Sequence, residues 1–195
     1  MMNGIALIRQ RILDTIEIKR EILTDEKILG HILLASEHMT DILKNGGKLV
    51  LCGNGGSASD AMHFAGELVG RFQKERASLP ALVLNSDPVA MSSIANDYDF
   101  AEVFARQIDA FVRSGDMLIG ISTSGNSENV LRAVMAAKEK GAYTIGLLGN
   151  GGGRIGSETD LSIVVPASVA ARVQESHIVI LHILCELIED ALFGE

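Results

Sequence analysis

The first 47 residues carry apolar positions at the spacing of amphipathic helices. In the second half of this segment they recur at steps of three or four residues: Ile28, Ile32, Ala35, Met39 and Ile42. Thr24, Asp25 and Glu26 offer a cap and an acidic first turn for this helix, and the glycine pair at 46–47 offers a stop. The pattern predicts a hairpin of two helices over residues 1–47.

The rest of the chain, residues 48–195, has a different pattern of short apolar runs separated by helix-length segments. The runs cover residues 49–52, 81–84, 117–121, 143–148 and 161–165. A strand with one face in water would alternate apolar and polar residues, so continuous runs indicate strands buried on both faces. We predict an α/β fold: a doubly wound, five-stranded parallel sheet after the helical hairpin, forming one domain over residues 1–195.

Composition and charge narrow the class of protein. The chain has 195 residues, 47% of them apolar, and no apolar run near the ~18 residues of a membrane span. A net charge of -8 argues against binding nucleic acid or an anionic membrane through bulk charge, so any anion site must be local. The N-terminus lacks the pattern of a signal peptide. Cys52 and Cys185 lie in apolar runs, which predicts buried free thiols and a cytoplasmic protein.

A serine-rich loop, STSGNS at 122–127, follows the third predicted strand and precedes an amphipathic helix. The N-terminus of a helix exposes unpaired N–H groups, hydroxyls can donate further hydrogen bonds, and Gly125 lets the backbone approach closely. This loop could bind a phosphomonoester without a lysine. The alternative is an ordinary strand-to-helix turn in which Ser127 caps the helix.

The loop after the first strand, GNGGSA at 53–58, matches the dinucleotide-binding pattern G-x-G-x-x-A. Asn85 and Ser86 stand where the acidic ribose ligand is expected, which makes nicotinamide or flavin binding the less favoured hypothesis. The helix that follows carries His63 and Glu67 one turn apart. Such a pair can share a metal or transfer protons, although most such pairs are simple surface neighbours.

The C-terminal helix, predicted over residues 169–192, carries Gln174 and His182. Eight residues separate them, which is about 12 Å along the axis and about 80° around it. One helix can barely direct both to a single ion, so either the side chains reach a common point or two subunits contribute. His182 also lies in an apolar stretch, where a core histidine bonded to a main-chain carbonyl is the alternative.

Five segments resemble the phosphoheptose isomerases of the sugar isomerase (SIS) domain family: LCGNGGSA at 51–58, DAMHFAGE at 60–67, IAND at 94–97, GISTSGNS at 120–127 and ARVQESH at 171–177. The resemblance covers nearly the whole chain and implies a flavodoxin-like SIS fold. It further implies a homotetramer with one Zn²⁺ per subunit. Such an enzyme converts sedoheptulose 7-phosphate to D-glycero-D-manno-heptose 7-phosphate through an enediolate, for heptose and lipopolysaccharide biosynthesis.

The resemblance also implies roles for individual residues. The zinc ligands would be His63, Glu67, Gln174 and His182. The phosphate would be bound by Ser57, Ser122, Ser124 and Ser127, with Thr123 lining the site. The sugar would be surrounded by Asn54, Gly55, Gly56, Asn96 and Asp97, and it would also meet Glu67 and Gln174.

Glu67 and His182 are the catalytic candidates. Moving a proton between C1 and C2 needs a base on carbon and a donor to oxygen, for which Glu67 and His182 respectively are suited. A carboxylate bound tightly to zinc is a poor free base. Either coordination loosens during turnover, or zinc acts mainly as a Lewis acid.

The main rival is a non-catalytic SIS-domain tetramer that binds the bacterial replication initiator protein. It would share the R-F-x-x-E-R-x-x-L-P pattern at 71–80. The presence of both Glu67 and His182 favours an enzyme, because an adaptor does not need them. Sugar-responsive transcription factors and arabinose phosphate isomerases resemble the chain less, since we expect no room here for their DNA-binding or regulatory modules.

Overall fold

The computed structural model describes residues 3–194 and shows a five-stranded, all-parallel sheet. Its strands are β1 (Leu49–Gly53), β2 (Ala81–Val83), β3 (Met117–Ser122), β4 (Tyr143–Leu148) and β5 (Leu161–Val164). They lie in the order β2-β1-β3-β4-β5, so β2 and β5 form the two edges. This order confirms the doubly wound fold. Residues 1, 2 and 195 of the predicted domain lie outside the described residues.

Helices connect the strands and precede the sheet. They are α1 (Gly4–Thr24), α2 (Glu26–Lys44), α3 (Gly56–Val69), α4 (Pro88–Asp97), α5 (Ala105–Phe111), α6 (Glu128–Glu139), α7 (Gly153–Glu158) and α8 (Ala170–Phe193). Short 3₁₀ turns cover Phe100–Glu102 and Asn150–Gly152. The predicted strands and the C-terminal helix were placed correctly, with ends that differ by about one residue.

Side chains of each strand alternate between two hydrophobic cores. Leu49 and Leu51 contribute to the core under α2, α3 and α8. Val50 and Cys52 contribute to the core on the opposite face, under α4 to α7. Because both faces of the sheet are covered, no strand position needs to be polar, which explains the continuous apolar runs.

The two N-terminal helices differ in their burial. In α2, Ile28, Ile32 and Met39 are buried, and the Asp25 carboxylate accepts hydrogen bonds from two N–H groups of the first turn, as predicted. The described residues of α1 include none that is buried, and its contacts with α8 include Arg172 Nη1 donating to the Arg11 carbonyl at 2.7 Å. Helix α1 is therefore an outer layer on α8.

The helices and cysteines agree with two further expectations. Within residues 3–194, no helix is long and apolar enough to cross a membrane. Cys52 and Cys185 are buried and free, as predicted. Burial raises the pKa of each thiol to about 12, so both are protonated and unreactive at neutral pH.

His177, on the face of α8 that packs on the sheet, is fully buried. Neither ring nitrogen has a hydrogen-bond partner. Burial lowers the pKa of His177 to about 4, and the nearby main-chain carbonyl of Leu148 opposes this effect only in part. The imidazole is therefore neutral in the folded protein at neutral pH.

We predict that His177 makes the fold less stable in acid. In the unfolded chain its pKa is about 6.5, so between pH 6.5 and 4 the unfolded state binds a proton that the folded state does not. The free energy of unfolding should thus fall by about 1.4 kcal/mol per pH unit below pH 6.5. Urea unfolding at pH 7 and pH 5 measures this decrease. Between the two pH values, the free energy of unfolding should fall by about 2 kcal/mol less in His177→Leu than in the wild type.

The matched control is His38→Gln, which removes a partly exposed histidine stacked on Tyr143. Its free energy of unfolding should fall between pH 7 and pH 5 by as much as that of the wild type. An equal fall in the wild type and in His177→Leu would contradict the prediction.

Candidate functional site

The glycine-rich loop after β1 is held by side-chain amides from two other elements. Asn54 and Asn129 exchange two hydrogen bonds between their amides, at 2.8 and 2.9 Å. Asn85, after β2, accepts a hydrogen bond from Gly53 N at 3.3 Å and donates to Gly53 O at 2.8 Å. The Asn85 side chain braces the loop and offers no carboxylate to a ribose, which weighs against dinucleotide binding.

Three hydroxyls of the serine-rich loop gather at the end of β3. Ser122 Oγ lies 3.0 Å from Ser127 Oγ and 3.4 Å from Ser124 Oγ. Ser127 occupies the N-cap position of α6, but its side chain makes no capping hydrogen bond. Ser127 therefore holds the position that the ordinary-turn alternative expects without its capping bond, and the three hydroxyls together with the N-terminus of α6 are groups that can donate to an anion.

Gly125 has a role that differs from the one expected from the sequence. Its φ is +66°, and a Cβ there would lie 2.2 Å from the Gly152 carbonyl oxygen. Ile155 N also donates to Gly125 O at 2.9 Å. Because Gly125 has no side chain, the loop after β4 can pack against the serine loop. This contact helps to fix the conformation of the serine loop.

Three of the proposed zinc and catalytic side chains meet where α3 packs on α8. His63 Nε2 lies 2.9 Å from His182 Nε2 and 3.4 Å from Glu67 Oε1. The ring of Phe72 also stacks on His182, with centroids 5.6 Å apart. His182 is therefore not the carbonyl-bonded core histidine of the alternative reading.

Gln174 reaches the first turn of α3, two turns before His63. A Cβ on Gly56 would lie 2.3 Å from both amide atoms of Gln174, so the glycine makes room for this side chain. Burial raises the pKa of Asp60, whereas the nearby Gln174 and His63 side chains act to lower it. Within one chain, Gln174 and His182 both contact α3, two turns apart along α8.

The suitability of this cluster for a metal follows from its donors. Among residues 3–194, no three His, Cys, Asp or Glu side chains surround a common point as a preformed metal site. His63 instead contacts His182 and Glu67 separately. Two imidazoles, one carboxylate and a nearby amide are nevertheless donors of the kinds that zinc sites use or tolerate, and the facing Nε2 atoms point to shared space. The residues fit zinc by their chemistry.

The structure leaves other proposed substrate residues apart from this cluster. Asn96 and Asp97, at the end of α4, are exposed and hydrogen-bond to each other at 2.9 Å. Among the described hydrogen bonds, neither joins the serine loop or His63. Ser57 is buried in the first turn of α3, whereas Thr123 is partly exposed and Gly55 exposed.

Several residues of the site were missed by the sequence reasoning. Asn129 lies two residues beyond the serine loop, and Asp60 lies three residues before His63 on the same helix face. These positions in the sequence could have indicated that both residues lie close to the candidate site. In the sequence, Phe72 is part of the pattern at 71–80 that adaptor proteins would share. Because Phe72 and His182 are far apart along the chain, no local pattern predicts that their rings stack.

Comparison with known proteins gives consistent matches. The SIS domain family model matches residues 15–149. The chain is 57% identical over 166 residues to the phosphoheptose isomerase of Nitratiruptor sp., covering 85% of this chain and 89% of that protein. It is 49% identical over 187 residues to that of Geotalea daltonii, covering 92% and 97%.

Two solved structures are similar over nearly their whole length. The phosphoheptose isomerase from Neisseria gonorrhoeae has a TM-score of 0.91 and 39% identity, with 96% of this chain and 100% of that chain covered. The enzyme from Francisella tularensis has a TM-score of 0.93 and 35% identity, with 97% and 100% covered.

We predict that Ser122 and Ser124 bind phosphate together. Replacing both by alanine removes two donors to a charged group and should weaken inorganic phosphate binding by about 2 kcal/mol or more, roughly 30-fold. A ³¹P NMR titration measures this affinity. Ser93→Ala is the control, because the Ser93 hydroxyl bonds to Ala90 O within α4. Unchanged affinity in the double variant would place the phosphate elsewhere.

Proposed function

Since the chain belongs to the SIS domain family and, within it, to the phosphoheptose isomerases, it is a sugar-phosphate isomerase, and we propose that its substrate is sedoheptulose 7-phosphate. The product would be D-glycero-D-manno-heptose 7-phosphate. The observation that carries the proposal is the contact of His63 with both His182 and Glu67. The contact joins α3 to α8, and α3 follows the loop after β1, the strand that pairs with β3 and its serine loop.

The serine loop would hold the phosphate end of the substrate. The Ser122, Ser124 and Ser127 hydroxyls can donate to phosphate oxygens, and the N-terminus of α6 contributes N–H groups and a partial positive charge. This loop follows β3, the neighbour of β1 in the sheet. A sugar phosphate bound there can extend its other end towards α3.

Glu67 and His182 would then carry the proton transfers. Glu67 Oε1 lies 3.4 Å from His63 Nε2, and the carboxylate would accept the proton from carbon. His182 would donate to the substrate oxygen while the His63 and Phe72 rings fix its position.

Zinc completes the proposal, with His63, Glu67, Gln174 and His182 as the residues that would hold it. When bound, the metal would supply Lewis-acid polarisation of the substrate oxygens. The chain's own contribution is to hold the Nε2 atoms of the two imidazoles 2.9 Å apart and the Glu67 carboxylate beside His63.

The adaptor alternative is not favoured. The relatives and solved structures compared above are named as phosphoheptose isomerases. The chain also has Glu67 and His182 in contact with one residue, His63, an arrangement that an adaptor has no reason to keep.

We further propose that the enzyme acts in the cytoplasm and supplies heptose for glycans such as lipopolysaccharide. The two buried, protonated thiols support a reducing compartment, because the chain does not depend on a disulfide for its stability. The pathway follows from the proposed product.

We predict that the purified protein converts sedoheptulose 7-phosphate to an aldoheptose phosphate, measured by NMR. Glu67→Gln keeps the shape and a metal-capable oxygen but cannot accept a proton, so it should lose on the order of 10²–10⁴ in rate. His182→Asn should behave similarly. Glu139→Gln, an exposed position at the end of α6, is the control.

Zinc content measured on the same samples separates the two roles of Glu67. If Glu67→Gln binds zinc normally but turns over slowly, Glu67 acts as the base. If its rate falls in proportion to its zinc content, Glu67 acts mainly as a zinc ligand. Near-normal turnover by Glu67→Gln would refute the mechanism, and no turnover by the wild type with zinc present would refute the proposed function.

We also propose that the enzyme is a homotetramer. Helix α1 has no buried side chain among its described residues, and Ile8 and Ile12 are each 56% exposed. An apolar groove between α1, α2 and α8, which includes Ile22, Leu29 and Val179, continues this surface. A second copy of the chain would remove these side chains from water.

Sedimentation at micromolar concentration should therefore show a species of about 83 kDa, four times the 20.8 kDa chain. Ile12→Glu should weaken this assembly because it buries a charge in an apolar interface. Val89→Glu, at a 73% exposed position on α4, is the matched control. A wild-type monomer would contradict the proposal.

A further inference from the structure

We propose that Arg76 and Glu189 form a buried clamp that positions His182 and Glu67 for proton transfer. The clamp is defined by these two side chains alone. The proposal rests on the proposed function, because His182 and Glu67 are its acid–base pair. It gives a role to the segment at 71–80, which the chemistry described so far uses only through the Phe72 ring.

Glu189, on α8, anchors the loop that follows α3. Its carboxylate accepts hydrogen bonds from the main-chain N–H groups of Phe72, Gln73 and Lys74 at 2.9–3.0 Å. It also accepts one from Arg76 Nε at 3.0 Å. Burial alone would raise the pKa of Glu189, but these four donors hold it below its ordinary value, so the carboxylate is charged. One side chain thus fixes three successive residues of the loop.

Arg76 links the same carboxylate to the end of α3. Its Nη2 donates to the Glu67 carbonyl oxygen at 2.8 Å, and its Nη1 donates to the Leu68 carbonyl oxygen at 2.7 Å. The side chains of Arg76 and Glu189 are only 1% and 2% exposed. A planar guanidinium can serve all three acceptors at once, whereas a lysine ammonium lacks this fixed fork. The clamp therefore holds the backbone of Glu67 against α8.

The clamp also holds the ring that covers His182. The main-chain N–H of Phe72 donates a hydrogen bond to Glu189, and the Phe72 ring stacks on His182 with 28° between the planes. His182 and Glu189 are seven residues apart on α8, so they share one face. His182 also contacts the His63 ring, 5.1 Å away between centroids. The His182 ring therefore contacts two rings, and the clamp holds the main chain of one of them.

The test compares Arg76→Lys and Phe72→Leu with a matched control on the same loop. Lys74→Met removes an exposed ion pair with Asp190 at 2.7 Å, which lies outside the clamp. The first readout is the NMR signal of the His182 ring in the purified protein, labelled on histidine, with its contacts to Phe72. The second is the kcat and KM for sedoheptulose 7-phosphate.

Arg76→Lys, which alters the clamp, and Phe72→Leu, which removes the ring it holds, should each shift the His182 ring signals and lower kcat by on the order of 10- to 100-fold, because the acid–base pair is misplaced. KM should stay within about threefold, since the clamp makes no contact with the serine loop. Lys74→Met should match the wild type in both readouts.

The outcomes separate positioning from a general structural role. Unchanged His182 signals and kcat in Arg76→Lys would overturn the proposal, and so would an equal loss in kcat with a large rise in KM. If Arg76→Lys fails to fold, Phe72→Leu decides: a normal kcat overturns the proposal. If the wild type does not isomerise the sugar, the proposed function fails, while the His182 signals still show whether the clamp positions that ring.

Discussion

The packing of α8 against α3 is the contact on which the site depends. Both helices lie on the same face of the sheet, and Gly56 on α3 leaves room for the Gln174 amide of α8. The same packing brings His182 Nε2 to 2.9 Å from His63 Nε2. A shift of α8 by one turn would move its proposed zinc ligands by about 5 Å and separate these groups. The proposed activity would therefore depend on the register of two helices.

Most of the fold could be predicted because burial on both faces leaves a strong local pattern. A strand such as β4 (Tyr143–Leu148) has no solvent-facing side, so its sequence is continuously apolar and its ends are marked by glycine or polar residues. The serine loop could be located for the same reason, since parallel strands end at one edge of the sheet. His63 and Glu67 could be paired because a helix fixes neighbours four residues apart.

The rest depends on contacts between distant segments, which spacing along one element does not encode. His63 and His182 are 119 residues apart, and Asn54 and Asn129 are 75 apart. The angle between Gln174 and the His182 side chain could be worked out from helix geometry, but the surface facing them could not. Gly125 shows the same limit, because the neighbouring loop that approaches it is distant along the chain.

The lengths of the two edge strands restrict how copies of this chain can associate. β2 has three residues and is preceded by Pro80, and β5 has four. Edges this short offer few main-chain groups for pairing, so the sheet is poorly suited to growing by addition of strands from another molecule. The protein can thus carry exposed apolar residues on its outer helices with little risk that association spreads into open-ended β-aggregation, and the contacts between copies are left to surfaces that can close on themselves.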